Sequence, residues 1–332
     1  MKTLVRGLNF FGLLMAKNLI KSGQIVAFPT ETVYGLGANV FDENAIAKIF
    51  EAKGRPQDNP LIAHISSKEQ IGKLASEVNA DAQKIINAFM PGSITVVLPK
   101  KPSVPAIATG GLDTVAIRMP KSKQARRFIS ACGTPLVAPS ANTSGRPSPT
   151  TAQEVFADMQ GKIPLILKGK KCCVGIESTV VDCTGEVPVV LRPGIVTKCQ
   201  IEDVLGKRIE VLTDTTQKVN SPGVRYKHYS PNCPSILNTD KNTVKVVEHY
   251  RQKREEDANP VIYCLDDERE LFEDCKTISL GKTEEEFARN LYGALRFAEQ
   301  KYGYIIIVWF SKTEFADSVL NRLERVVGHN FL

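Results

Sequence analysis

Two stretches of this chain concentrate side chains that handle anions. KGRPQDNPL runs from Lys53 to Leu61, and APSANTSGRPSPT from Ala138 to Thr150. In the first, Lys53 and Arg55 flank Gly54 at the end of a helical pattern. Cations at a helix C-terminus suit its dipole. Gly54 and Pro56 also fix the backbone between and after them, which aims the two charges together. A paired Lys and Arg makes a phosphate clamp, with Arg supplying a planar fork and Lys a point charge. The second stretch offers Ser and Thr hydroxyls and backbone N–H groups able to surround a phosphate or a ribose. Neither stretch is a Walker loop, a dinucleotide fingerprint or a metal cluster.

Other residues pose charge problems that a ligand or a protein partner must solve. Asn59 precedes the apolar run PLIAHI, which ends near His64. Arg118 closes DTVAIRMP and Arg192 lies in VVLRPG. An Arg in an apolar strand is costly to bury alone, so each needs a carboxylate, from the protein or from a ligand. FPTETVYGLGANV reads as a strand running into a turn. Thr30 and Thr32 offer hydroxyls there, and Gly35 and Gly37 would let a ligand approach the backbone. GIESTVVD adds Ser178 and Thr179 beside Glu177. No Ser-His-Asp order, no G-x-S-x-G and no Cys beside a convincing base is present. An enzyme built this way supplies no covalent nucleophile. It binds charged substrates and lets one attack another, by proximity and by stabilising phosphate oxygens.

These residues need a scaffold, and the chain has the length for two domains: 332 residues, 42% of them hydrophobic. The longest clean apolar run is Tyr304 to Phe310, far short of the ~20 residues that a membrane helix needs, so no membrane association is expected. The basic, apolar N-terminus reads as an amphipathic helix stopping at Gly23 and not as a signal peptide, because Lys17 and Lys21 interrupt it. Eight cysteines without a C-x-x-C pair, with only four histidines, exclude zinc spacing. They predict a reduced, cytoplasmic protein with free thiols. The net charge of +7 suits an anionic partner such as ATP or RNA.

From residue 1 to about 206, PLIAHI, ITVVL, TVAIRMP, PLVAPS, IPLILK, STVVDC and VPVVLRP read as strands. Few helices lie between them. The clearest is DENAIAKIFEAKG, with Asp42 as N-cap and Gly54 just past its end. This predicts a large, twisted mixed α/β sheet. Residues 207–233 lose periodicity and read as a linker or a functional loop. From 234 to 332, helices and strands alternate (NTVKVVEHYRQKREE, PVIYCL, TEEEFARNLYGALRFAEQKYG, YIIIVWF, FADSVLNRLERVV). That predicts a smaller Rossmann-like α/β domain without a dinucleotide fingerprint.

PTETVYGLG, KGRPQDNPL, APSANTSGRPSPT, GIESTVVD, LRPG and SPGVRYKHYSP, in this order, resemble one family: L-threonylcarbamoyl-AMP synthases of the two-domain, YrdC-type form. Residues 1–206 resemble the catalytic domain. SPGVRYKHYSP resembles the linker of the long form, and the remainder resembles its C-terminal domain in layout. The signature K-x-R followed by S-x-N is met by Lys53, Arg55, Ser140 and Asn142. The resemblance implies ATP-dependent synthesis of threonylcarbamoyl-AMP from L-threonine and bicarbonate, with release of pyrophosphate. The product would go to a downstream transferase that modifies tRNA. Lys53 and Arg55 would be catalytic. Thr32, His64, Arg118, Ser178 and the backbone of Ala138 would hold threonine. Arg55, Asn59, Thr114, Ser140, Asn142, Ser148 and Arg192 would hold ATP, with Tyr226 and Tyr229 of the linker covering the nucleotide as a lid. Magnesium is expected with ATP, and no protein residue is assigned as its ligand.

The chain departs from the family pattern at Ser93, where Pro is common, and at Lys168 and Lys170, where an Asp-Gly-Gly run is frequent. Two other readings fit the residues. One is a double-stranded RNA or tRNA-binding module without adenylation activity. The other is a carbamoyl-adenylate domain serving a different acceptor. Weak RNA binding is also compatible with the enzyme.

Overall fold

The computed structural model describes residues 1–212 and 229–332. They fall into two compact units. The first holds residues 1–144, 148–173 and 177–212; the second holds 145–147, 174–176 and 229–332. The stretch SPGVRYKHYSP therefore lies mostly outside the described residues, and so does Tyr226.

The first unit is built on one mixed sheet. Its strands are β1 (Leu4–Gly7), β2 (Val26–Pro29), β3 (Tyr34–Asn39), β4 (Ile62–His64), β5 (Ile94–Pro99), β6 (Thr114–Arg118), β7 (Leu136–Val137), β8 (Leu165–Lys168), β9 (Thr179–Asp182), β10 (Val189–Arg192) and β11 (Glu210–Val211). The spatial order is β1-β8-β2-β3-β7-β4-β6-β5-β9-β10-β11. Side chains alternate between its faces, as strand geometry requires. Leu165 and Leu167 join a core with Leu13, Ile20 and Phe128. Ile166 joins the opposite core with Ile46, Phe50, Ile86 and Ile117. Helices Phe10–Lys21 and Lys123–Cys132 cover the first face. Helices Glu43–Lys53, Ala80–Phe89, Ala152–Met159 and Lys198–Leu205 cover the second. Fully burying each such apolar side chain contributes roughly 1.5–3 kcal/mol.

Local signals set the helix that carries the first signature. The Asp42 carboxylate accepts from the Ala45 amide at 2.9 Å, and Gly54 ends the helix with φ of 60°. That left-handed conformation suits a residue without Cβ. Two expectations fail nearby. Residues 4–7 form an edge strand parallel to β8 and not helix, since the helix begins only at Phe10. The segment read as a glycine turn is β3 itself. Its glycines make room for protein and not for ligand: a Cβ on Gly37 would stand 2.9 Å from the Phe28 ring, and one on Gly35 would stand 3.2 Å from the Ala138 Cβ.

The second unit has strands β12 (Ser235–Asn238), β13 (Pro260–Cys264), β14 (Thr277–Ser279) and β15 (Tyr304–Val308), all parallel, in the order β12-β15-β13-β14. Helices Thr243–Glu255, Glu284–Lys301 and Glu314–Val327 alternate with them, as the Rossmann-like expectation requires. Among the described residues no helix is long and apolar enough to cross a membrane. None of the eight cysteines is in a disulfide.

Candidate active site

Strand register gathers the candidate residues along one edge of the large sheet. β4 and β6 run parallel, with His64 opposite Arg118 at their carboxyl ends. β5 is antiparallel to β6, so its first residue, Ile94, starts at that same edge, paired with Thr179 at the start of β9. Ser93 and Ser178, one residue before each strand, therefore reach the same end of the sheet as Arg118. β10 is antiparallel to β9 and ends at Arg192, opposite Val180.

Arg118 has an internal partner that the sequence reading missed. Its Nη2 lies 2.6 Å from Glu31 Oε1, and both side chains are 5% exposed. Glu31 Oε1 also accepts from Ser93 Oγ at 3.3 Å, and its Oε2 accepts from the Ser122 amide at 3.1 Å. Burial works against the Glu31 charge, but the Arg118 guanidinium and backbone donors, the Ser122 amide among them, outweigh it and lower the carboxyl to about 2. Of the two partners open to Arg118, a protein carboxylate or a ligand's, the first is present: Glu31 compensates its charge within the protein. Arg118 Nε is buried and makes no hydrogen bond.

His64 is 3% exposed and lies edge-on to Phe28. Burial first, and the Arg118 charge second, hold its imidazole down at about 3, so it is neutral at physiological pH. Nδ1 lies 3.0 Å from the Ile62 carbonyl. A carbonyl only accepts, so Nδ1 carries the hydrogen and Nε2 is left as an acceptor.

Ser178 is also fixed from two sides. Its Oγ shares a hydrogen bond of 2.8 Å with Thr95 Oγ1, and its carbonyl accepts from Arg192 Nε at 3.1 Å and Nη2 at 2.9 Å. Arg192 therefore stacks its charge on the Ser178 backbone. Thr32 is fully buried, and its Oγ1 lies 2.9 Å from Thr30 Oγ1.

The two signature stretches meet. Lys53 is 2% exposed, and its Nζ donates to the main-chain oxygens of Ser140 at 2.5 Å and Asn142 at 2.6 Å. The Ser144 amide donates back to the Lys53 carbonyl at 2.9 Å. Ser140 bridges to Gly35 of β3. Ala138 has committed its amide to the Ile62 carbonyl at 2.9 Å, so that amide is not available to a substrate. Ser148 Oγ donates to Glu177 at 2.7 Å. Arg55 is half-buried just past the helix, its amide bonded to the Phe50 carbonyl. Asn59 is fully buried, and neither of its side-chain polar atoms has a hydrogen-bond partner.

Within the first unit one candidate stands apart from this cluster. Thr114 opens β6, four residues from Arg118 and thus about 13 Å away along the strand. Tyr229 belongs to the second unit, where it is 6% exposed and stacks on Tyr292 with ring centroids 5.2 Å apart.

Reading the sequence missed Glu31 and Thr95. Glu31 had a usable signal: it is the first acidic residue of the chain and comes two residues after an apolar strand. A carboxylate carried into the interior there matches the need of a buried Arg. Thr95 alternates with apolar residues inside ITVVL and gave none.

Comparison with known proteins adds a second line of argument. The Sua5/YciO/YrdC family, described as "Telomere recombination", matches residues 18–194. The family described as "Threonylcarbamoyl-AMP synthase, C-terminal domain" matches residues 196–328. The threonylcarbamoyl-AMP synthase of Pyrococcus abyssi is 42% identical, spanning 96% of this chain and 94% of its own length. That of Bacillus subtilis is 40% identical, spanning 94% of this chain and 92% of its own. The crystal structure of P. abyssi Sua5 complexed with L-threonine matches with a TM-score of 0.91 at 40% identity, covering 100% of this chain and 98% of that one. Similarity of this depth along both domains, on a sheet edge that assembles the shared motifs, shows that the chain belongs to the threonylcarbamoyl-AMP synthase family in its two-domain form.

Proposed function

We propose that this chain makes L-threonylcarbamoyl-AMP from L-threonine, bicarbonate and ATP, releasing pyrophosphate. The observation that carries the reading is the convergence of Arg118, neutral His64 and Ser178 at one sheet edge. Threonine is a zwitterion bearing a hydroxyl. The buried Nε of Arg118 offers a donor to its carboxylate. Nε2 of His64 offers an acceptor to its hydroxyl or ammonium group. Thr32, Ser178 and the Ala138 carbonyl complete this subsite.

The second signature stretch, held by Lys53, forms the nucleotide side. Arg55, Ser140, Asn142, Ser148 and Arg192 are assigned to the phosphates and ribose. Asn59 joins them, because its orphaned amide would gain partners from a ligand. Thr114, Tyr226 and Tyr229 are assigned to ATP on the family resemblance alone. Among the described residues no group of three or more His, Cys, Asp or Glu is arranged to hold a metal ion. Magnesium would accompany the triphosphate as a counter-charge to its oxygens, without a protein ligand being assigned to it.

The amine of threonine, once its ammonium group has given up a proton, attacks the carbon of bicarbonate or of carbon dioxide derived from it; on balance one water and one proton leave to solvent, and a carbamate forms. A carbamate oxygen then attacks the α-phosphorus, and the bond to pyrophosphate breaks. Both nucleophiles are substrates, so the protein contributes position and charge. A transferase downstream would move the threonylcarbamoyl group to tRNA. Weak RNA contact through the net charge of +7 is a further expectation, and it would weaken steeply with salt. Incubation with labelled bicarbonate tests the proposal. The label should enter an adenylate only when threonine and ATP are both present. Label-free adenylate would refute it.

A further inference from the structure

Glu31 joins four separate segments around Arg118. It sits between β2 and β3, grips Arg118 at the end of β6, accepts from Ser93 just before β5, and accepts from the Ser122 amide. Ser122 caps helix Lys123–Cys132 through its Oγ to the Ala125 amide. The carboxylate thus also faces a helix N-terminus, where the dipole favours negative charge. Three hydrogen bonds leave Glu31 little freedom, and through it the guanidinium of Arg118 has little freedom too.

This arrangement constrains what Arg118 can offer a substrate. One guanidinium nitrogen, Nη2, is committed to Glu31 at 2.6 Å, while buried Nε makes no hydrogen bond. A second carboxylate arriving at Arg118 must therefore approach the remaining donors from a fixed direction. The Arg118–Glu31 pair is formally neutral, and His64 beside it is uncharged.

We propose that Glu31 is a positioning residue for the amino-acid subsite: it holds Arg118 so that the carboxylate of threonine docks in one orientation. This rests on the assignment of threonine to Arg118 above. Glu31 itself would touch none of the three substrates. Its effect passes through Arg118.

The test is steady-state kinetics of Glu31→Gln, which preserves shape and removes charge. Losing one charge-assisted hydrogen bond to Arg118 should raise the KM for threonine by about tenfold or more. The KM for ATP and the kcat at saturating threonine should stay within about threefold, because Arg118 remains and the nucleotide side is untouched. A purely structural role would lower the active fraction, and so kcat, without moving the threonine KM. Unchanged threonine KM, or an ATP KM rising in parallel, overturns the inference while the wild type still shows threonine-dependent turnover. A wild type without that dependence overturns the functional reading, and this inference with it. Should Glu31→Gln fail to fold, Glu31→Asp keeps the charge but shortens its reach. It should raise the threonine KM by a smaller factor, and an unchanged threonine KM there contradicts the proposal equally.

Discussion

The Lys53 ammonium donates to the main-chain oxygen of Asn142 at 2.6 Å, so one signature residue holds the backbone that carries another. A second bond, to the Ser140 carbonyl, makes Lys53 a strut across both stretches. Lys53→Ala should therefore fail twice. Loss of a positioned cation should lower turnover by ~10²-fold or more. Two carbonyls left without their donor should also cost about 1–3 kcal/mol each where they stay dry. Pyrophosphate release and urea unfolding on one preparation measure both losses. Full turnover with unchanged stability would contradict the strut.

Arg118→Ala should weaken threonine binding and destabilise the fold. The substitution strands Glu31 as a buried charge, and breaking such a pair from one side typically costs about 3–5 kcal/mol. ATP affinity should change little. Titration of threonine at fixed ATP, followed by the reverse, separates the two subsites.

Asn59 gives the opposite balance. Its amide is buried with both polar atoms unpartnered, so Asn59→Leu removes a desolvation cost from the free protein. The variant should be at least as stable as the parent, yet bind ATP about tenfold or more weakly if that amide serves the nucleotide. Calorimetric ATP titration beside a thermal melt checks it. Tight ATP binding would remove Asn59 from the site.

Much of this arrangement was legible from local signals. Asp42 and Gly54 bracket their helix because capping depends on neighbouring residues only. The ordered motifs also marked the stretches that the sheet edge assembles. The strut was not legible, because the acceptors for Lys53 are carbonyls, which carry no sequence signature. Nor was β1 legible, since four residues at an edge take their conformation from Leu165–Lys168 far down the chain. Gly35 and Gly37 misled for a related reason. Glycine signals close approach, but only the fold shows that Phe28 and Ala138 are what approach.

Stability should fall with acid in two stages. His64 is held at about 3 in the folded chain against 6.5 ordinarily, so the unfolded state binds the extra proton between those values. Stability should drop as pH falls below about 6.5, by at most about 1.4 kcal/mol per unit from this group. Glu31, lowered from 4.5 to about 2, adds a second loss once pH falls below about 4.5, because its carboxylate must then be protonated. Denaturant unfolding across pH 3 to 8 measures the profile. His64→Gln should flatten the segment between 6.5 and 4.5 and leave below it only the loss due to Glu31.

The central claim is that this sheet edge joins threonine, bicarbonate and ATP. The most direct measurement is pyrophosphate release from ATP with each co-substrate omitted in turn. The account predicts release only when both threonine and bicarbonate are present. Serine should replace threonine poorly, because a pocket fitted to the methyl group loses about 1–3 kcal/mol without it. Equal pyrophosphate release with no amino acid present would contradict the account.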